Sequence, residues 1–148
     1  MSSLAIGLIL SSFVANEPAA VALHKAVAPF AGNWQAVEIE INGRKLPEDQ
    51  LKDIQFLIAG NTMTTATNAG IRITFKVFPD TTPMALDLDL AIGPNSERRE
   101  HFEGIAAVEG DTLKLCWNNG QGVKQRPGEF TGAEGTNNFL LVFKRVKR

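Results

Sequence analysis

From Gly32 to the end of the chain, apolar and polar residues alternate in short runs divided by turn residues, and the helical period of 3.6 is almost absent. Such alternation describes strands with one face in a core and the other in water. The first run, Trp34 to Ile41, sets Val37, Ile39 and Ile41 on one face and Glu38 and Glu40 on the other. It ends at Asn42-Gly43, a dipeptide suited to the positive φ angles of a two-residue hairpin. Trp34 shares its parity with the two glutamates, so a core position for it requires either a face-switching bulge near Gln35 or Ala36 or a Trp lying beneath the barrel floor. Pro47 to Lys52 is polar and acidic with Pro near its start, which predicts one helical turn or a short lid. Strands are predicted next at Ile54 to Ala59, Thr62 to Thr67 and Ile71 to Val77. Leu86, Leu88, Leu90 and Ile92 then alternate with Asp87 and Asp89. Glu97 to Glu100 reads as a solvated loop, His101 to Val108 and Thr112 to Trp117 as a hairpin turned at Glu109-Gly110-Asp111, and Asn138 to Val146 as the closing strand.

These eight strands at near-regular spacing predict an all-β, antiparallel, up-and-down barrel over residues 32–146, with a two-sheet β-sandwich as the alternative. The longest stretch without a period, Asn118 to Thr136, is a Gly-rich loop of a length that in compact domains is usually functional or flexible.

Composition changes this picture little. A chain of 148 residues supports one domain and one core. With 15 Lys and Arg against 16 Asp and Glu, it lacks the field that would draw nucleic acid. The single Cys116 permits no intramolecular disulfide and sits in an apolar strand pattern, where a free Cys acts as a small core hydrophobe. At the amino terminus, Leu4 to Ala15 is apolar over a length that suits a signal-peptide core and falls short of a membrane span. Ala20-Val21-Ala22 has the small-x-small form of a cleavage site and Ala15 offers an earlier one, although the n-region carries no Lys or Arg. Residues 1–22 are therefore expected to direct export to the periplasm or the extracellular space, and 23–31 to be a linker. A native apolar helix packed on the barrel is the alternative.

Gly32-Asn33-Trp34 opens the first strand as the Gly-x-Trp of lipocalins and related barrels does. The wider pattern adds Asn42-Gly43-x-x-Leu46-Pro47, Leu86-Asp87, Gly104-Ile105, Gly110-Asp111-Thr112-Leu113-x-x-Cys116, Arg126-Pro127-x-x-Phe130 and Lys144-Arg145. Together these residues resemble a lipocalin-like domain family of unknown function abundant in Planctomycetes. Ala106 departs from the Tyr that this family tends to carry after Gly-Ile. The resemblance implies a barrel whose floor is Gly32 and Trp34 beneath a basic residue of the last strand, Arg145 or Lys144. It implies no catalytic activity, cofactor or specific ligand.

The candidate chemistry is sparse. Asp87 and Asp89 lie on one strand face about 6.5 to 7 Å apart, a separation open to acid–base or metal chemistry. Three leucines occupy the opposite face, so the simplest reading exposes both aspartates to water. His101 lies between Glu100 and Glu103, but the chain's two His and one Cys show no zinc-ligand spacing, and no metal is predicted. Gly120-Gln121-Gly122 lacks the strand-to-helix context of a phosphate loop. The basic end, Lys144, Arg145, Lys147 and Arg148, reads as a solubilised strand terminus. Arg126, fixed by the following Pro127, is either a strut for the long loop or the polar anchor of a ligand site. In that site Phe130 and the barrel residues Phe56, Phe75 and Leu115 would form an apolar wall. Two functions are expected on this basis: a non-enzymatic module holding a small apolar or amphipathic ligand at a mouth covered by the Asn118–Thr136 loop, or an interaction barrel with a solid core.

Overall fold

The computed structural model describes residues 25–65, 70–95, 97–118 and 125–147. The expected signal segment, Gly120-Gln121-Gly122 and Arg148 lie outside the described residues.

Nine strands form one antiparallel sheet: β1 (Gly32–Ile41), β2 (Arg44–Lys45), β3 (Gln55–Ala59), β4 (Thr62–Thr65), β5 (Ile71–Phe78), β6 (Met84–Ile92), β7 (Arg98–Glu109), β8 (Thr112–Asn118) and β9 (Asn138–Arg145). Each pairs with the next, except that β1 reaches past the two-residue β2 to pair with β3. Pairing of β1 with β9 closes the sheet into an eight-stranded up-and-down barrel, which excludes the sandwich. Closure satisfies the backbone groups that an open edge would leave unpaired. Asn42 and Gly43 both take positive φ, as the β1–β2 turn requires. A single helical turn, α1 (Glu48–Leu51), follows Pro47 and buries Leu51 against the barrel. Its carbonyl end is satisfied by Gln35, whose amide donates to Leu51 O at 2.7 Å.

The register of β1 against β9 slips between Ala36 and Glu38. Val37 is the extra residue. This bulge lets Trp34 and Ala36 share the interior with Ile39, while Val37 turns outward and is 44% exposed. The expected core position of Val37 is thereby corrected. So is the loop expected at Glu97 to Glu100: β7 begins at Arg98, because Ile92, Ala91 and Leu90 supply ladder partners to Arg98, Arg99 and Glu100. A charged run can be strand when its partner is apolar and its own outer face is wet.

Residues 25–31, expected as linker, form the floor of the barrel. Residues 25–27 are helical and Ala28–Phe30 makes a 3-10 turn that buries Phe30 against Phe75, ring centroids 5.4 Å apart. Trp34 is fully buried and its indole N–H donates to Phe30 O at 2.7 Å. Arg145 lies over the indole at 4.2 Å and donates to the carbonyls of Ala31 and Pro29. Lys144 instead points to the Thr112 hydroxyl, 2.6 Å away. Gly32 has φ +134°, and a Cβ there would lie 2.7 Å from the Arg145 guanidinium, so the small residue lets the Arg close the floor. None of the helices among the described residues is long and apolar enough to cross a membrane.

Candidate functional site

The inner face of the barrel has two halves of different character. Toward the floor, Phe30, Trp34, Ile58, Leu113, Leu115 and Phe143 are all essentially inaccessible. Toward the opposite end, where β1 and β6 finish and β7 and β9 begin, the inward positions are large and apolar but only partly covered. Ile41 pairs with Phe139, and Phe139 with Trp117, so these three side chains continue the inward rows of Ile39, Leu141 and Leu115. Phe102 completes the set, its ring 6.3 Å from Trp117, and Trp117 lies 6.0 Å from Phe139 in an edge contact. These three aromatic rings, with Ile41, Ile71 and Leu90, form a half-buried apolar lining at the open end. Beyond it Arg98 follows the same alternation toward the rim and is paired with Glu100 at 2.8 Å.

The residues expected as ligand wall sit elsewhere. Phe75 packs on Phe30 in the floor, Leu115 is fully buried, and Phe56 stands edge-on to Phe143 at 5.5 Å. They are packing residues of the filled half. The aromatic residues of the open end belong to the same strand alternation, and the alternation by itself carries no sign of which end of each strand is plugged; only the Gly32-Asn33-Trp34 resemblance points to the start of β1.

Arg126 is on the outer wall. Its guanidinium donates to Leu86 O at 3.0 Å, to Gly104 O at 2.7 Å and to Asp87 Oδ1 at 2.8 Å. Leu86 and Gly104 are ladder partners, so one side chain clips the loop onto both β6 and β7. Asp87, expected in water, is thereby half-buried in an ion pair. The rest of the loop continues across the outside of the barrel. Pro127 is buried, the Cys116 thiol donates to Thr131 O at 3.4 Å, and Gly132 N–H donates to a carboxylate oxygen of Glu40 at 3.1 Å. Gly132 lies so close to β1 that a Cβ would sit 2.4 Å from Glu40 O. Gly135 N–H then binds the Asn42 side chain at 2.8 Å. Residues 125–136 are thus a strap from β6 to β1, and the described part of the expected mouth cover lies on the wall. Phe130 is half-buried within it.

The strap explains a second apolar cluster. Ala85, Ile105 and Cys116 are ladder neighbours on the outward face, yet all three are buried and stand apart from the main core. Burial raises the Cys116 thiol pKa above its ordinary value, and the hydrogen bond to Thr131 offsets part of that rise.

From the Arg126 contact toward the open end, the register sets Asp87 opposite Glu103 and Asp89 opposite His101. His101 Nδ1 is 2.7 Å from Asp89 Oδ1. Asp87, His101 and Glu103 each bring one ligand-type atom within 4.8 Å of the others. Sequence spacing did not reveal this cross-strand trio, because strand pairing brings its members together. Asp87, however, is already neutralised by Arg126, which opposes a cation there. Comparison of the chain with models of known families, with characterised proteins and with solved structures found no match.

Proposed function

We propose that the protein is a non-enzymatic binding module that takes a small apolar or amphipathic molecule in the open end of the barrel. The observation that carries this reading is the half-buried cluster of Phe102, Trp117 and Phe139 above a fully packed floor. Apolar rings left partly in water gain roughly 25 cal/mol for each Å² that a ligand covers, and small-ligand sites pair such walls with a few placed polar groups. Arg98 is the polar group at this rim, in place of the strut Arg126, and a ligand carboxylate would take its guanidinium in exchange for the exposed pair with Glu100.

The two tryptophans make the test direct. Trp34 is sealed in the floor and Trp117 lines the opening, so titration with dodecanoate should change the emission of Trp117 with micromolar half-saturation. Trp117→Phe should abolish the response while leaving the Trp34 signal, and Arg98→Gln should weaken dodecanoate more than dodecanol. Absence of any saturable response to either probe at millimolar concentration would establish the alternative, a barrel filled by its own side chains that serves as an interaction domain.

A further inference from the structure

We infer that the outer wall carries a separate anion site for a phosphate monoester, formed by Arg72 and Arg99 on either side of Ala91. The ladder aligns Arg72 of β5 with Ala91 of β6 and Arg99 of β7, all on the outward face. Their Cα atoms are therefore two strand spacings apart, about 9.5 Å, and the small Ala91 leaves the space between them open. Two residues further along, Thr74, Asp89 and His101 form the next outward row across the same three strands. The groove these residues line holds about 390 Å³, within the usual range of small-ligand sites.

Charge argues for an anion. Among the described residues neither Arg72 nor Arg99 has an ion-pair or hydrogen-bond partner, whereas the arginines at 98, 126 and 145 all do. Fifteen of the 16 acidic residues lie among the described residues, and none of these fifteen is paired with Arg72 or Arg99. The carboxylates of Asp89 and Glu100 also line this groove, but Asp89 is hydrogen-bonded to His101 and Glu100 is paired with Arg98, so neither engages the two guanidinium groups that face it. A carboxylate is satisfied by one arginine fork. A phosphate monoester presents three terminal oxygens and close to two charges, so it can accept from both forks. The volume exceeds that of a bare phosphate and admits an organic substituent along Ala91. This site lies outside the barrel opening and does not depend on the function proposed for it.

Calorimetric titration of the full chain with phenyl phosphate tests the site. Saturable one-to-one binding is expected, with Arg72→Gln and Arg99→Gln each weakening it at least about tenfold, the loss of one charged hydrogen bond. Arg44→Gln, an exposed arginine on β2, should leave it within twofold. All three positions are exposed, so urea midpoints should be unchanged. Sedimentation with phosphatidic acid vesicles, against phosphatidylcholine vesicles, distinguishes the source. Co-sedimentation lost in the Arg72→Gln/Arg99→Gln double variant assigns a lipid headgroup, and phenyl phosphate binding without sedimentation assigns a soluble ester. The site is refuted if phenyl phosphate does not bind at millimolar concentration, if the double variant binds as well as the natural protein, or if Arg44→Gln weakens binding equally.

Discussion

Replacing Arg126 with Ala should loosen the strap without unfolding the barrel. The substitution removes two hydrogen bonds to backbone carbonyls and one ion pair, and leaves the Asp87 carboxylate half-buried without its partner. A hydrogen bond from a charged group contributes about 1.5 to 3 kcal/mol net, while an exposed pair contributes less than about 1 kcal/mol. The Arg126 and Asp87 side chains are 30% and 23% exposed, which places this contact between the two limits. The three bonds share one side chain and do not add, so a loss of about 2 to 3 kcal/mol in urea unfolding is expected. Cys116 supplies a local readout, because its thiol is fully buried and bonded to the strap at Thr131. Alkylation by iodoacetamide should be at least about tenfold faster in Arg126→Ala under native conditions, as expected for local opening below the global unfolding free energy. Asp87→Asn should fall between, since the carbonyl contacts survive. A stability loss below about 0.5 kcal/mol together with unchanged Cys116 labelling would refute the strut.

Trp34→Ala should cost about 3 to 5 kcal/mol in denaturant unfolding, because it empties a sealed floor position and strands the Arg145 side chain above it; a loss under about 1 kcal/mol would contradict the packing. Gly32→Ala should cost about 1 to 3 kcal/mol through its positive φ and the approach of Arg145, measured by thermal unfolding. The raised Cys116 pKa means that the unfolded chain releases this proton before the folded one does. Stability is therefore full below the ordinary thiol value of 9.0 and declines above it, and Cys116→Ala should remove that part of the alkaline decline. Intact-mass measurement of protein from its native host should show residues 1–22, or 1–15 with the earlier Ala15 site, removed; retention of Met1 or Ser2 would favour a native amino-terminal helix.

The alternation of apolar and polar residues determined the strand positions, their antiparallel order and the turns, because period 2, Asn42-Gly43 and Gly110-Asp111 are local signals read within a few residues. Even the bulge in β1 was legible as a conflict of parity between Trp34 and Glu38, although its place at Val37 was settled by the pairing with β9. Gly32-Asn33-Trp34 pointed to the start of β1 as the floor, but which side chains fill that half was decided by tertiary structure. The plug comes from residues 25–31, whose short apolar pattern carries no direction, and only its docking separates Phe75 and Leu115 in the packed half from Phe102, Trp117 and Phe139 at the opening. The course of the long loop was equally hidden. Ala85, Ile105 and Cys116 each look like breaks in an otherwise polar outward face, and they make sense only when closure brings β6, β7 and β8 together and the strap crosses them. The pairing of Arg72 with Arg99 across Ala91 has the same origin, since residues far apart in sequence become neighbours through register, and register is fixed by the barrel as a whole.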